Sequence, residues 1–416
     1  MKHALQVEIL KELIGQLDQG RNIDAGVSYK MPTTSYVCPE LASKERETFF
    51  QNHPQLVGLS NDLPEPGSFF TMDDFGTPVL ATRDKQGKFH AFLNACRHRS
   101  VRVASEARGQ KSVFVCPFHN WSYANTGDLL VIPNEDHFGQ IDKSCHGLLA
   151  LPSVERDGLL WVHPKVDGQL DIDDLLGSEL ANELASYGMS SHRYAGTKTI
   201  EMNLNWKFAN DTFGETYHFG KLHKNTLGQL YYGNNLHLKT FGQHHRFVTA
   251  NRGLEQLRTL PEEQWNISQA TFVLYYLFPN IQLIVNENSV TLVRIYPDRD
   301  KPGRSLTQVV FYFSPEVSAR NEFLAEQGST AAATSTSVYD YESRRGNEYI
   351  NELEASMEVF RSTVEHEDYL MGEMQQSAAE NGQLKEILFG RNEPALHHFH
   401  ANYREALGEP PLERVE

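Results

Sequence analysis

The sequence predicts an α+β protein of two main domains: a small antiparallel β domain, then an antiparallel sheet that packs against a long helix. Three observations carry this. From about Gly58 to Pro164, short β runs alternate with turns. Beyond Val166, longer β runs follow one another, and from Tyr339 to about Gln376 they give way to a charged amphipathic pattern of helical period. The chain has 416 residues, enough for two or three domains of about 150 residues each.

Taken in order, "MKHALQVEILKELIGQLDQG" sets apolar residues at helical spacing and breaks them with charges, unlike the continuous apolar core of a signal peptide. Residues 1–53 therefore read as a helical segment docking on the larger domain. Residues 54–165 form the small β domain. In it "SFFTMDDFGTPVLATRDKQGKFHAFLNAC" gives two or three strands with a hairpin turn at Asp84–Gly87, and "SVFVCPFH" and "GLLWVHP" add more. Residues 166–416 form the larger domain. There "TKTIEMNLNWKF" is strand-like and "ANDTFGETYHFGKLH" has helical spacing. "TFVLYYLF", "IQLIVNE", "SVTLVRIYP" and "LTQVVFYFS" follow as strands of one antiparallel sheet. The small-residue stretch Gly328–Ser337 reads as a flexible loop. Tyr275, Tyr276 and Phe278 are candidates to line a substrate pocket, although on a strand pattern such aromatics more often fill a core.

With 40% hydrophobic and 22% charged residues, the chain can bury sizeable cores. The net charge of −16 argues against nucleic acid, which is held by Lys and Arg on phosphates, and against anionic membranes. No apolar run approaches the length of a membrane span. A cytoplasmic location is expected, where the four cysteines would not form a disulfide framework. Cys38 and Cys145 have no partner at metal-ligand spacing and read as buried thiols.

Cys96, His98, Cys116 and His119 are the first constellation. Two mixed Cys/His pairs, C-x-H and C-x-x-H, lie within one short stretch. Coincidence, a Cys₂His₂ zinc site and a [2Fe–2S] centre are the readings open. Zinc sites usually pair Cys with Cys and His with His. Mixed pairs suit a cluster in which two thiolates hold one iron and two imidazoles the other. The run C-R-H-R, a spacer, then C-P-F-H-x-W-x-Y resembles the cluster motif of Rieske domains in ring-hydroxylating oxygenases, extending through Trp121, Tyr123 and Gly127. It departs at Ser100, where many relatives have Gly. Because Gly reaches conformations that Ser does not, the first loop is expected to bend differently.

The second constellation is "NDTFGETYHFGKLH". His218 and His223 are five apart, about 140° of rotation on a regular helix, so they share one metal only across a π-bulge or a helix end, which Gly220 would permit. Glu215, three before His218, lies on the same helical face. This stretch resembles the D/E-x-x-H-x₄-H motif of Rieske non-haem iron oxygenases. Two His and one carboxylate on one face of Fe(II) leave positions free for O₂. The resemblance places the carboxylate on a late helix, and "VEHEDYLMGEMQQ" fits. Asp368 is the first choice, an E-D pair followed eight residues later by Gln376; Glu367 and then Glu365 come next. By the same resemblance Glu215 links His218 to His119 of a neighbouring protomer and carries electrons between subunits. Glu there, rather than Asp, points towards demethylating and quaternary-ammonium oxygenases. Asp211, where dioxygenases often have Asn, reads as a helix cap or a group behind the ligands.

The resemblance thus implies a Rieske [2Fe–2S] domain joined to a helix-grip catalytic domain. It implies the terminal oxygenase component of a Rieske non-haem iron system, with O₂ as co-substrate. An aromatic or other small organic substrate would be hydroxylated, demethylated or dihydroxylated. No G-x-G-x-x-G fingerprint occurs, so NAD(P)H would act through a separate flavin reductase, with or without a ferredoxin. A homotrimer is expected, with small β subunits in some relatives. The rival reading is a Rieske-type electron-transfer protein without a catalytic iron, which would need neither His218, His223 nor Asp368.

Overall fold

Residues 1–326 and 352–415 are described by the computed structural model, and among them no helix is long and apolar enough to cross a membrane. Gly328–Ser337, and the helical pattern from Tyr339 up to residue 351, lie outside the described residues. The chain divides into two compact units, Glu45–Leu175 with Gly188–Ser191, and Met1–Lys44 with Leu176–Tyr187 and His192 onwards.

The smaller unit is built of three antiparallel sheets. Five strands run in the order Ala150–Leu151, Phe89–Leu93, Val79–Arg83, Ser68–Met72, Arg108–Gln110. Val113–Val115, Ser122–Ala124 and Leu129–Val131 form a second sheet, and Ser153–Arg156, Leu159–Val162 and Gln55–Leu59 a third. The turn at Asp84–Gly87 closes because Asp84 Oδ1 accepts the Gln86 and Lys88 amides, satisfying donors that the hairpin leaves free. Phe69, Leu80, Phe92, Trp121 and Tyr123 pack with Cys96 and Cys116 in one buried cluster. Gly127 (φ +90°) must stay glycine, because a Cβ there would lie 2.4 Å from the Phe92 ring.

The larger unit is centred on seven antiparallel strands ordered Arg193–Met202, Ser305–Phe313, Ser289–Pro297, Ile281–Val285, Thr271–Leu277, His244–Asn251, Tyr231–Phe241. Alternation sends one set of side chains towards the helices. Thr307 meets the Tyr369 hydroxyl at 2.8 Å, Phe311 packs on Phe360, and Gln282 Nε2 donates to Asn210 Oδ1 at 2.8 Å. Opposite the sheet run Glu352–Phe360, a π-helical segment Arg361–Asp368, and the α-helix Tyr369–Asn381. At Gly372 that helix comes so close that a Cβ would sit 2.4 Å from Leu204 Cδ1.

Three expectations are corrected, and for the three aromatics the core reading is the right one. "ANDTFGETYHFGKLH" is not one helix: the α-helix Trp206–Asp211 stops, and only a 3₁₀ turn, Tyr217–Gly220, follows. "WKF" belongs to that α-helix and not to the preceding strand, because the Asn205 side chain caps it by accepting the Lys207 amide. Cys145 is exposed, in a short 3₁₀ turn on the surface, and Cys38 is only half-buried. Tyr275, Tyr276 and Phe278 are core: Tyr276 donates to Pro279 O at 2.6 Å, and Tyr275 donates to the buried Glu183, which also pairs with Arg246.

Candidate metal centres

In the smaller unit, two loops of similar backbone present the four cluster residues. Cys96 N donates to Val101 O and Ser100 N to Cys96 O; Cys116 N donates to Trp121 O and Asn120 N to Cys116 O. Each loop closes on a residue in the left-handed region, Ser100 (φ +59°) and Asn120 (φ +57°). Ser100 therefore does not redirect the first loop; it takes up the conformation that Gly would adopt more cheaply. The thiols of Cys96 and Cys116 are buried, and the Tyr123 hydroxyl stands 3.2 Å from Cys96 Sγ. His98 and His119 rings lie 4.6 Å apart, with Trp121 stacked on His98. Burial, and then His119 and Arg99, hold the His98 ring below the ordinary histidine range. The Nδ1 atoms of both histidines are buried without a hydrogen-bond partner. Buried polar atoms are rarely left so. Two neighbouring thiols and two idle imidazole nitrogens are the donor set of a Rieske cluster, and the residues fit it.

In the larger unit, His218 stands on the 3₁₀ turn and His223 just beyond it. The break after Asp211, not a π-bulge, brings them together. Gly220 is not required for it, since it avoids positive φ and a Cβ there would meet nothing. The π distortion lies instead in the opposing helix, at Arg361–Asp368. Such segments recur at functional sites. Asp368 Oδ1 lies 3.1 Å from His223 Nε2 and 3.4 Å from His218 Nε2, and neither contact is a hydrogen bond. One ligand atom from each of the three residues falls within 4.8 Å of the others. Facing nitrogens and a carboxylate without hydrogen bonds between them suit a metal at their centre.

The other acids sort themselves by contact. Glu215 Oε1 takes the His218 Nδ1–H, while its Oε2 accepts the Tyr217 and His218 amides. Glu367 Oε2 accepts from His223 Nδ1 at 2.6 Å, and Glu365 Oε2 lies 2.5 Å from Lys198 Nζ. Gln376 Oε1 accepts the Asn205 amide at 2.9 Å, tying the late helix to the start of the His-bearing segment. Asp211 ends its helix rather than starting it, and accepts from the Tyr36 hydroxyl and His400 Nε2 at 2.9 and 2.8 Å. Burial pulls His218 down, but Asp368 and Glu215 outweigh it and push it up to about 10; His223 is also raised, against burial, by Asp368 and Glu367. Asp368 is lowered by the two histidines in spite of its burial. Sequence reasoning missed the Glu367–His223 contact and the aromatic run Phe219, Tyr231, Phe272 that leads away from His223, with ring centroids about 5 to 6 Å apart.

Residues 53–152 match the Rieske [2Fe-2S] domain family, and residues 189–409 match the family described as ring hydroxylating alpha subunit (catalytic domain). The oxygenase subunit of glycine betaine monooxygenase from Chromohalobacter salexigens is 31% identical over 195 residues, 47% of this chain and 43% of that protein. The chain thus spans about half the length of the curated relatives it matches. Among solved structures, the quaternary ammonium Rieske monooxygenase CntA in complex with L-carnitine has a TM-score of 0.71 at 18% identity, covering 92% of this chain and 96% of the other. Naphthalene 1,2-dioxygenase from Rhodococcus sp. has a TM-score of 0.68 at 18% identity, covering 98% of both chains. At these identities the likeness is one of fold.

Proposed function

Since this chain belongs to the family of ring-hydroxylating alpha subunits, we propose that it is the terminal oxygenase component of a Rieske non-haem iron system, acting on a small quaternary ammonium or N-methylated substrate. The observation that carries the reading is the convergence of His218 Nε2, His223 Nε2 and Asp368 in the same chain as the Cys96, His98, Cys116, His119 set. A pure electron carrier would have no use for the first group. When bound, the [2Fe–2S] cluster would supply single electrons and the Fe(II) a place for O₂ reduction.

The protein's own contributions follow from the contacts. His218, His223 and Asp368 would hold the iron as two imidazoles and one carboxylate, a ligand set that leaves positions for O₂. Glu215 takes the Nδ1–H of His218, fixes its tautomer and turns Nε2 inward. Across a subunit boundary, Glu215 would also meet His119 of a neighbouring protomer. In support, Tyr217 beside Glu215 is exposed, as is Phe118 beside His119. A head-to-tail contact of this kind closes into a ring, here a trimer, with or without β subunits. The half-buried Phe219, Tyr231 and Phe272 offer π faces and no positive charge, a surface that suits an ammonium group. The substrate class rests on these aromatics, on Glu at 215 and on the glycine betaine and carnitine in the relatives' names. Electrons would come from NAD(P)H through a separate flavin reductase, with or without a ferredoxin, in the cytoplasm.

Iron and acid-labile sulfide per chain test the core of this. About three irons and two sulfides are expected, falling to about two irons with unchanged sulfide in a His218→Ala/His223→Ala double variant. Two irons in both proteins after Fe(II) reconstitution would leave only an electron carrier. O₂ uptake with a reductase, greater for glycine betaine or carnitine than for naphthalene, tests the substrate class.

A further inference from the structure

Glu367 is a neighbour of the proposed iron site whose carboxylate oxygen Oε2 reaches His223 from behind. Oε2 accepts from His223 Nδ1 at 2.6 Å and from the Thr226 hydroxyl at 2.7 Å. Thr226 is itself set by the same turn, its amide donating to His223 O at 2.9 Å. A carboxylate only accepts, so it holds the proton on Nδ1 and leaves the lone pair for metal on Nε2. His223 is completely buried, and its Nε2 has no hydrogen-bond partner.

The arrangement repeats what Glu215 does for His218, by a different route. Glu215 lies three residues from its histidine, whereas Glu367 comes from 144 residues away. It arrives because the π-helical Arg361–Asp368 delivers two consecutive acids to the centre. Asp368 faces the Nε2 atoms and Glu367 reaches behind His223.

We infer that Glu367, steadied by Thr226, is the positioning residue for His223: it fixes the ring's tautomer and raises its strength as a metal ligand. With Glu215 it also places a second carboxylate behind the ligand shell, and negative charge there favours the more oxidised metal. This rests on the proposed iron site at His218, His223 and Asp368.

The test measures metal binding and not turnover. Protein that keeps its [2Fe–2S] cluster but has been stripped of the mononuclear metal, carrying Glu367→Gln, Glu367→Ala or Thr226→Val, is titrated with Fe(II), and with Co(II) as a visible-absorbing probe. Losing such a partner typically costs 10–100-fold in metal affinity. The Fe(II) dissociation constant should therefore rise about 10-fold for Glu367→Gln and up to about 100-fold for Glu367→Ala, with Thr226→Val smaller. The Co(II) bands should move, and the Fe(III)/Fe(II) potential of Glu367→Gln should rise. The [2Fe–2S] absorbance should not change, which reports an intact small unit. Folded variants that bind Fe(II) as the wild type does, with unmoved Co(II) bands, would overturn the inference. Should Glu367→Ala fail to fold, the isosteric Gln and the Thr226 variants decide by the same criteria. Wild-type protein that binds no Fe(II) would instead bring down the iron-site reading, and this inference with it.

Discussion

The two candidate metal centres use histidine in opposite senses. In the small unit, His98 and His119 leave Nδ1 idle; in the large unit, His218 and His223 have Nδ1 taken by carboxylates and leave Nε2 idle. The supports differ accordingly. The cluster loops are closed by backbone amides on their own carbonyls, within a few residues of each cysteine. The proposed iron site is assembled by side chains from distant segments. The first kind of site is local and needs only its loops; the second exists only once a helix has docked against a sheet.

That contrast can be broken most forcefully by removing one ligand from each centre. Cys116→Ala should abolish the brown absorbance and leave metal binding at His218, His223 and Asp368. Asp368→Ala should keep the colour and lose the third iron. In either variant turnover should fall by more than about 100-fold, the upper range for residues that merely support a ligand. Loss of both centres in either variant, seen by metal and sulfide analysis, would show that they are not independent.

Acid should separate the units next. Burial keeps His237, His245, His397 and His398 of the large unit below the ordinary histidine range, His237 at about 4 with Arg246 adding to the effect. Between an unfolded value of about 6.5 and these lower folded values, the unfolded chain binds protons that the folded chain refuses. The contribution of these four histidines is therefore complete above pH 6.5 and is lost as pH falls towards 4. Thermal melts should show the large unit softening across that window. His237→Gln should flatten its slope.

The smallest effect sharpens the likeness between the two cluster loops. Ser100 and Asn120 share a left-handed backbone that costs an ordinary residue about 1–2 kcal/mol. Ser100→Gly should stabilise the small unit by about 0.5–1 kcal/mol after the entropy that glycine loses. Asn120→Gly should gain less, since Asn tolerates that region. Equal gains, read from the melting temperatures, would refute the reasoning.

Legibility followed sequence distance. Strands such as Ser289–Pro297 stood out because their β-branched and aromatic runs are continuous. Tyr231–Phe241 and His244–Asn251 are faint in the sequence, although "LHLKTFGQHHRFV" carries alternation around a Gly turn, because their many polar and histidine residues dilute the signal. The helix expected through His223 was wrong for a non-local reason: apolar spacing continues past Asp211, but the helix ends there, where Asp211 is held by Tyr36 and His400, residues far away in the chain.

What the sequence determined by itself was the donor chemistry. Cys96, His98, Cys116, His119, His218 and His223 sit in short motifs whose spacing fits their geometry, and local spacing survives folding. What only the tertiary structure shows is which partner each of the three acids at 365, 367 and 368 meets, and which ring nitrogen of each histidine is left without a hydrogen bond. A π-helical segment turned Asp368 towards the Nε2 atoms, Glu367 behind His223 and Glu365 onto Lys198. Residues one to three apart in sequence were sent to three different partners, and that is fixed by how a helix is wound and where it packs.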